Sequence, residues 1–372
     1  MNVQVSAVKC ASYAPETVLE SVRKAVGLLG GAVAFIKPGS SVLVKPNLLS
    51  AEEPERGVTT HPEVVRAVIK ILKEIDCKVY LGDSPSVWGE QSENPERVYE
   101  KSGMTKLAGE EGVQLVRFDK RRWMGKFPLT AWLDDCDYFV NVPKFKTHSF
   151  TILTGAVKNL FGLVAGTYKT ELHKKYFGIK EFANIIVDIY QAARPALTVV
   201  DGIVAMEGDG PASGGKLRNT NLVLAGSDCV ALDSVLALIM GLKPSDIPTT
   251  REAARRDLGV AEIGSINILG EKLESIIAGP FLLPSAPLDK KIPRPVIDIA
   301  KQLLKHYPCV ERDNCTGCAA CIRACPGKAI SAKSGRIVFN YSRCIACFCC
   351  IESCPSSAIK IKRSLLAKMM KL

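Results

Sequence analysis

The chain has 372 residues, of which 47% are hydrophobic and 23% charged, and carries a formal net charge of +11. This composition excludes a disordered or low-complexity protein and supplies apolar residues for two or three domains. No run of about 18 apolar residues occurs, so no membrane-spanning segment is expected. No basic segment followed by an apolar one opens the chain, so the expected compartment is the cytoplasm. The basic excess has no nucleic-acid motif beside it, and nucleic acid is not an expected partner.

From Val3 to about residue 275, apolar runs alternate with amphipathic stretches. Strands are predicted at Ser41–Lys45, Cys77–Leu81, Gln114–Arg117, Tyr138–Val142, Leu197–Val200, Leu222–Ala225 and Ile266–Leu269. Several are rich in Val, Ile and Leu without polar alternation, as strands buried on both faces of a parallel sheet are. Helices are predicted between them at Glu16–Leu29, His61–Glu74, Thr151–Leu163, Lys180–Ala193 and Cys229–Met240. At the second of these, Thr60 and Glu63 have capping-box spacing and Pro62 occupies the first turn. The alternation predicts an α/β domain over residues 1–278, with an open, mostly parallel sheet and helices on both faces.

Residues 279–305 form a predicted proline-rich linker with a short helix at Val296–His306, since Pro280, Pro284, Pro287, Pro293 and Pro295 exclude a longer regular element. A small α+β, ferredoxin-like domain is expected over 306–362, followed by a basic tail at 363–372. The tail reads as a helix docking on its own protein, with a partner or an anionic membrane as the second reading.

Nine of the fourteen cysteines lie between Cys315 and Cys354. They form Cys315-x-x-Cys318-x-x-Cys321-x-x-x-Cys325-Pro326, repeated 29 residues later as Cys344-x-x-Cys347-x-x-Cys350-x-x-x-Cys354-Pro355. The repeat extends to Ile322/Ile351, Ala329/Ala358 and Ile330/Ile359, which marks an internal duplication. Three cysteines at this spacing can wrap one cubane, and the fourth, turned by its proline, reaches the other. Two [4Fe–4S] clusters are therefore expected, one on Cys315, Cys318, Cys321 and Cys354, the other on Cys344, Cys347, Cys350 and Cys325. Zinc would favour two C-x-x-C pairs instead. Two oxidised cubanes on eight thiolates would bring roughly −4, leaving a net charge of about +7. Cys349 is surplus to both sets, and Cys309, Cys10, Cys77, Cys136 and Cys229 read as packing residues.

In an open α/β sheet, ligands bind beyond the carboxyl ends of the strands. Here those ends read Lys45-Pro46-Asn47, Gly82-Asp83-Ser84-Pro85, Pro143-Lys144-Phe145-Lys146-Thr147-His148 and Asp201-Gly202, with Lys158-Asn159 on the following helix. Clustered ammonium groups suit carboxylate or phosphate recognition. Lys45, Asn47, Lys144, Lys146, Lys158, Asn159 and Glu207 are thus candidate substrate-binding residues, and His61, Asp83, His148 and Asp201 candidate acid–base groups. His61 could equally be a helix cap. His173 is a further candidate acid–base group or metal ligand. Met206–Gly215 reads as a flexible loop, either an ordinary turn or a lid.

These strand-end motifs resemble the family catalogued as domain of unknown function 362. Lys158-Asn159-x-x-Gly162, Asp201-Gly202-x-x-Ala205-Met206-Glu207-Gly208 and Ala225-Gly226-x-Asp228-x-x-Ala231-x-Asp233 extend the resemblance over roughly residues 1–290, and a bacterial-type ferredoxin match covers 305–362. The resemblance implies the two-part architecture and names no substrate. The favoured expectation is an oxygen-sensitive oxidoreductase that passes electrons between the clusters and a small anionic substrate. The alternatives are a non-catalytic carrier or subunit docking a redox partner, and a redox-sensing binding protein.

Overall fold

The computed structural model describes residues 3–85, 95–125, 127–165, 168–169, 172, 176, 178–212, 214–277, 279–284, 307–325, 327–344 and 349–362. The predicted linker helix Val296–His306, the basic tail and His173 lie outside the described residues.

The strands are β1 (Val3–Lys9), β2 (Ser41–Pro46), β3 (Lys78–Leu81), β4 (Gln114–Leu115), β5 (Arg121–Met124), β6 (Phe127–Thr130), β7 (Tyr138–Val142), β8 (Lys144–His148), β9 (Ile152–Thr154), β10 (Leu197–Gly208), β11 (Gly215–Gly226) and β12 (Ile266–Gly270), then β13 (Tyr307–Val310), β14 (Ile330–Lys333), β15 (Arg336–Phe339) and β16 (Ile359–Lys362). Ten of the first twelve form one sheet in the order β12-β1-β11-β10-β7-β2-β3-β4, with β8 paired to β10 and to β9. Its centre, β10-β7-β2-β3-β4, is parallel, and antiparallel pairing enters through β11 and β9. The mostly parallel α/β fold is as expected.

Both faces of this sheet are covered. Along β2, Val42 and Val44 join one apolar core and Leu43 the other. The first core is closed by helices Pro15–Gly27 and Pro62–Lys73, the second by Ile179–Ala192 and Cys229–Ile239. Strands sandwiched in this way need no polar alternation, which is why their continuous apolar runs were legible.

Four local expectations need correction. The stretch predicted as one helix, Thr151–Leu163, is instead β9, a single helical turn at Ala156–Asn159 and a 3₁₀ turn at Leu160–Leu163. Gly155 breaks it: a side chain there would collide with the Asp233 carboxylate, whose Oδ1 and Oδ2 accept the Ala156 and Val157 N–H groups at 2.6 and 3.1 Å. Met206–Gly215 is no long loop, because β10 and β11 stay paired to the Gly208–Gly215 rung and close through a short turn containing a cis Gly210–Pro211 bond. The helix Pro62–Lys73 is capped by His61, whose Nδ1 accepts the Glu63 N–H at 3.2 Å, not by Thr60. The Thr60 hydroxyl donates to the Val142 carbonyl at 2.7 Å and accepts the Asn47 N–H, tying two strand-end loops together. The predicted strand list also omitted β1, where Ser6 interrupts the apolar pattern yet is fully buried, donating to the Ala25 carbonyl at 2.7 Å.

In the cysteine-rich part the duplication folds as two interleaved halves. β14, which ends the first half, pairs antiparallel with β15, which begins the second; β13 and β16 pair likewise. Short helices at Ala320–Ala324 and Cys349–Glu352 follow the cysteine loops.

Candidate functional site

The parallel strands deliver their carboxyl ends to one region, as anticipated, but the lysines there are not solvated. Lys45 ends β2 and is fully buried; Lys144 and Lys146, alternate residues of β8, are each 1% exposed. Burying an ammonium group costs several kcal/mol unless charge and hydrogen bonds offset it, so each partner is informative. The Lys45 Nζ lies 2.8 Å from Asp83 Oδ1 and 3.0 Å from the Pro46 carbonyl. Asp83 in turn accepts the Leu48 and Ser84 N–H groups, each at 2.8 Å. Lys146 donates to the Val58 carbonyl.

A second assembly forms around Asp201. Its Oδ2 accepts Lys144 Nζ at 2.8 Å and the His61 N–H at 2.9 Å, while its Oδ1 accepts the Tyr13 hydroxyl at 2.8 Å. Tyr13 stacks on the His61 ring at 3.7 Å between centroids, and its hydroxyl also receives a Lys144 hydrogen bond at 2.7 Å. Desolvation, outweighing the neighbouring Asp201, lowers the His61 pKa to about 4, leaving a neutral imidazole at physiological pH. Desolvation likewise lowers Lys45 and Lys144 against the opposing pull of Asp83 and Asp201.

Lys169 is a member that the sequence did not reveal. It is buried, donates to the Ser84 carbonyl, and has a pKa lowered to about 7, first by desolvation and then by Lys45 and Lys158, with Asp83 opposing. Lys45 and Lys169 thus gather about the Asp83 carboxylate, with Lys158 close enough to act on Lys169. Gly162 is required there, since any side chain would strike Lys45 and Asp83. Tyr13 and Lys169 were missed because neither sits in a strand-end motif; both arrive from connecting segments.

Amide groups extend the site. Asn47 Nδ2 donates to Asn159 Oδ1 at 2.9 Å, Asn159 Nδ2 to Asn141 Oδ1 at 2.8 Å, and Asn141 Nδ2 to the Ala156 carbonyl at 3.0 Å. At the head of this relay Asn47 Oδ1 is buried without a protein donor among the described residues, as are the Thr59 and Thr154 hydroxyls without partners. Buried polar atoms of this kind are ordinarily satisfied. They fit a polar ligand or ordered water.

Two candidates stand elsewhere. Glu207 forms an ion pair with Arg218 at 2.9 Å and accepts the Leu282 N–H, so it braces the β10–β11 hairpin. His148 is buried, and its Nδ1 accepts the N–H groups of Phe150 and Thr151 at 3.0 and 3.2 Å. That nitrogen is committed to the turn after β8.

Cys315, Cys318, Cys321 and Cys354 line a single cavity, so a cysteine of the second half joins three of the first. Burial, followed by the proximity of Cys354, Cys318 and Cys315, raises the Cys321 thiol to about 11. Such crowding disfavours the thiolates unless a cation neutralises them, and it suits a group that takes thiolate ligands. Cys325 and Cys354 occupy equivalent places, each accepting a backbone N–H at its Sγ, from Ala329 at 3.1 Å and Ala358 at 3.2 Å. Burial, and then Cys309, Cys344 and Cys350, raise the Tyr341 pKa; Cys347 lies outside the described residues. Cys349 is fully buried against Ala324.

With this geometry in view, comparison with known proteins assigns both parts. Residues 307–355 match the 4Fe-4S dicluster domain, so the C-terminal part is an iron–sulfur electron-transfer module. Thylakoid-associated protein sll1697 of Synechocystis sp. is 33% identical over 316 residues, spanning 82% of this chain and 95% of that protein. Among solved structures, the lactate racemase apoprotein from Thermoanaerobacterium thermosaccharolyticum superposes with a TM-score of 0.37 at 14% identity, covering 60% of this chain and 54% of that one. That likeness is too distant to inform the site. Residues 42–237 match Domain of unknown function (DUF362), and the chain belongs to that family.

Proposed function

We propose that this protein is an oxidoreductase of the anaerobic cytoplasm that exchanges electrons between two [4Fe–4S] clusters and a small anionic substrate held in the α/β domain. The observation that carries the reading is the burial of Lys45, Lys144, Lys146 and Lys169 at the carboxyl ends of the strands. Burying several ammonium groups in one region is costly, and an anion bound there would offset that cost.

One cluster would be held by Cys315, Cys318, Cys321 and Cys354, the other by Cys344, Cys347, Cys350 and Cys325, and they would supply single electrons. Around Asp83, the lysines Lys45, Lys158 and Lys169 would receive a carboxylate or phosphate, with Asn47 Oδ1 accepting a hydrogen bond from the substrate. Lys169, with a pKa near neutrality, would be the group that gives or takes a proton.

The test is anaerobic reduction of the protein followed by addition of carboxylate and phosphate metabolites. Reoxidation by one metabolite, at least about tenfold slower in Lys158→Ala with unchanged iron content, supports catalysis. Reoxidation only by other redox proteins would establish the carrier reading instead.

A further inference from the structure

The hairpin β14–β15 closes through Ser334 and Gly335, both in the left-handed region at φ 48° and 72°. A two-residue turn of that type sets its flanking residues directly opposite each other, and these are Lys333 and Arg336. Like charges facing across a ladder are destabilising, and both residues are exposed. The second ribbon of the duplicated module shows the alternative. At its corresponding rung, Lys362 stands opposite Tyr307, not a second cation.

The charge imbalance is regional. Between Asp313 and Glu352 the chain contains no carboxylate and five basic residues, Arg323, Lys328, Lys333, Arg336 and Arg343. Lys328, Lys333, Arg336 and Arg343 are all exposed on the hairpin or on the segments that extend it, where the Asn340 N–H bonds to the Ala329 carbonyl and the Arg343 N–H to the Asn340 carbonyl. Val338 and Tyr341, each 41% exposed, supply apolar surface among them. Tyr341 stacks on Phe339 at 6.0 Å between centroids, is tilted against Tyr307 at 4.7 Å, and stands three residues before Cys344. The hairpin face is therefore basic and partly apolar, and β15 ends five residues before the candidate cluster ligand Cys344.

We propose that this hairpin face is the docking surface for an acidic one-electron carrier protein of the ferredoxin type. Opposite charge on the carrier would relieve the Lys333–Arg336 repulsion, steer encounter and orient the partner on the hairpin. Each encounter passes one electron, oxidising the carrier by one and reducing this protein by one, with no bond or proton transferred. The inference does not depend on what the α/β domain binds.

The experiment uses the full-length, cluster-loaded protein under anaerobic conditions, with an acidic plant-type ferredoxin as probe. Its dissociation constant and the second-order rate of electron transfer are measured against salt concentration. Lys333→Glu/Arg336→Glu should weaken binding and slow transfer by at least about tenfold and flatten the salt dependence. The milder Lys333→Gln/Arg336→Gln pair should fall between, and Lys24→Glu, an exposed position on helix Pro15–Gly27 of the α/β domain, should match the wild type. Iron content and the electron-paramagnetic-resonance spectrum of the reduced protein must be unchanged in every variant, and reduction by methyl viologen radical must proceed at wild-type rate. Equal binding by wild type and charge-reversed protein would overturn the proposal. So would failure to bind the carrier alongside Lys333-dependent binding of short duplex DNA or anionic vesicles.

Discussion

Lys144 Nζ and Asp201 Oδ2 meet at 2.8 Å although 57 residues separate them in sequence, and both side chains are essentially inaccessible to solvent. The meeting is made by the sheet. β8 runs parallel to β10 with Lys144 in register with Asp201, and a shift in register places Lys146 opposite Met206. A lysine and an aspartate that look like two ordinary loop residues become one buried unit with Tyr13 and His61.

Removing one half of that unit should expose its cost. Asp201→Asn leaves Lys144 without its counter-charge, and losing one partner of a buried pair typically costs about 3–5 kcal/mol. Chemical denaturation should show that loss, and adding Lys144→Met should recover part of it. Equal stability of the single variant and wild type would mean that Lys144 is already neutral.

Two of the depressed bases, Lys169 and His61, give pH dependences of the same sign. Lys169 falls from 10.5 to about 7 on folding, so the unfolded chain binds more protons across that window. Its contribution is complete above about 10.5 and lost as pH falls through about 7. His61 falls from 6.5 to about 4, so its contribution is present above 6.5 and lost as pH drops through about 4. Unfolding free energy should therefore rise with pH in both windows. Lys169→Met should flatten the upper one and His61→Gln the lower.

Gly162 and Gly109 make a controlled comparison. Gly162→Ala forces a methyl group onto Lys45 and Asp83 and should destabilise by about 1–3 kcal/mol. Gly109 lies within helix Met104–Glu111 with nothing near its absent side chain, so Gly109→Ala should stabilise by roughly 0.5–1 kcal/mol. Thermal denaturation of the two variants against wild type would decide both signs.

The crossed ligand sets predict how iron responds to single substitutions. Anaerobically prepared protein should contain about eight irons per chain, Cys354→Ala about four, and Cys349→Ala the full complement. Iron analysis with electron paramagnetic resonance of the reduced samples distinguishes these outcomes. Zinc in place of iron would remove the redox interpretation altogether.

The sequence by itself determined the periodic and the covalently local features. Apolar runs at β2, β7 and β10 announced a doubly covered sheet because strands buried on both faces have no polar face to show. The cysteine spacing announced the duplicated module because cluster ligation is set by a few residues of loop. Only the tertiary structure decided which groups meet. It recruited Tyr13 and Lys169 from segments with no motif, turned Glu207 toward Arg218, gave the cap of helix Pro62–Lys73 to His61, and buried lysines that composition alone would leave in water. The reason is physical: strand register and desolvation depend on residues far apart in the chain, and no local pattern encodes them.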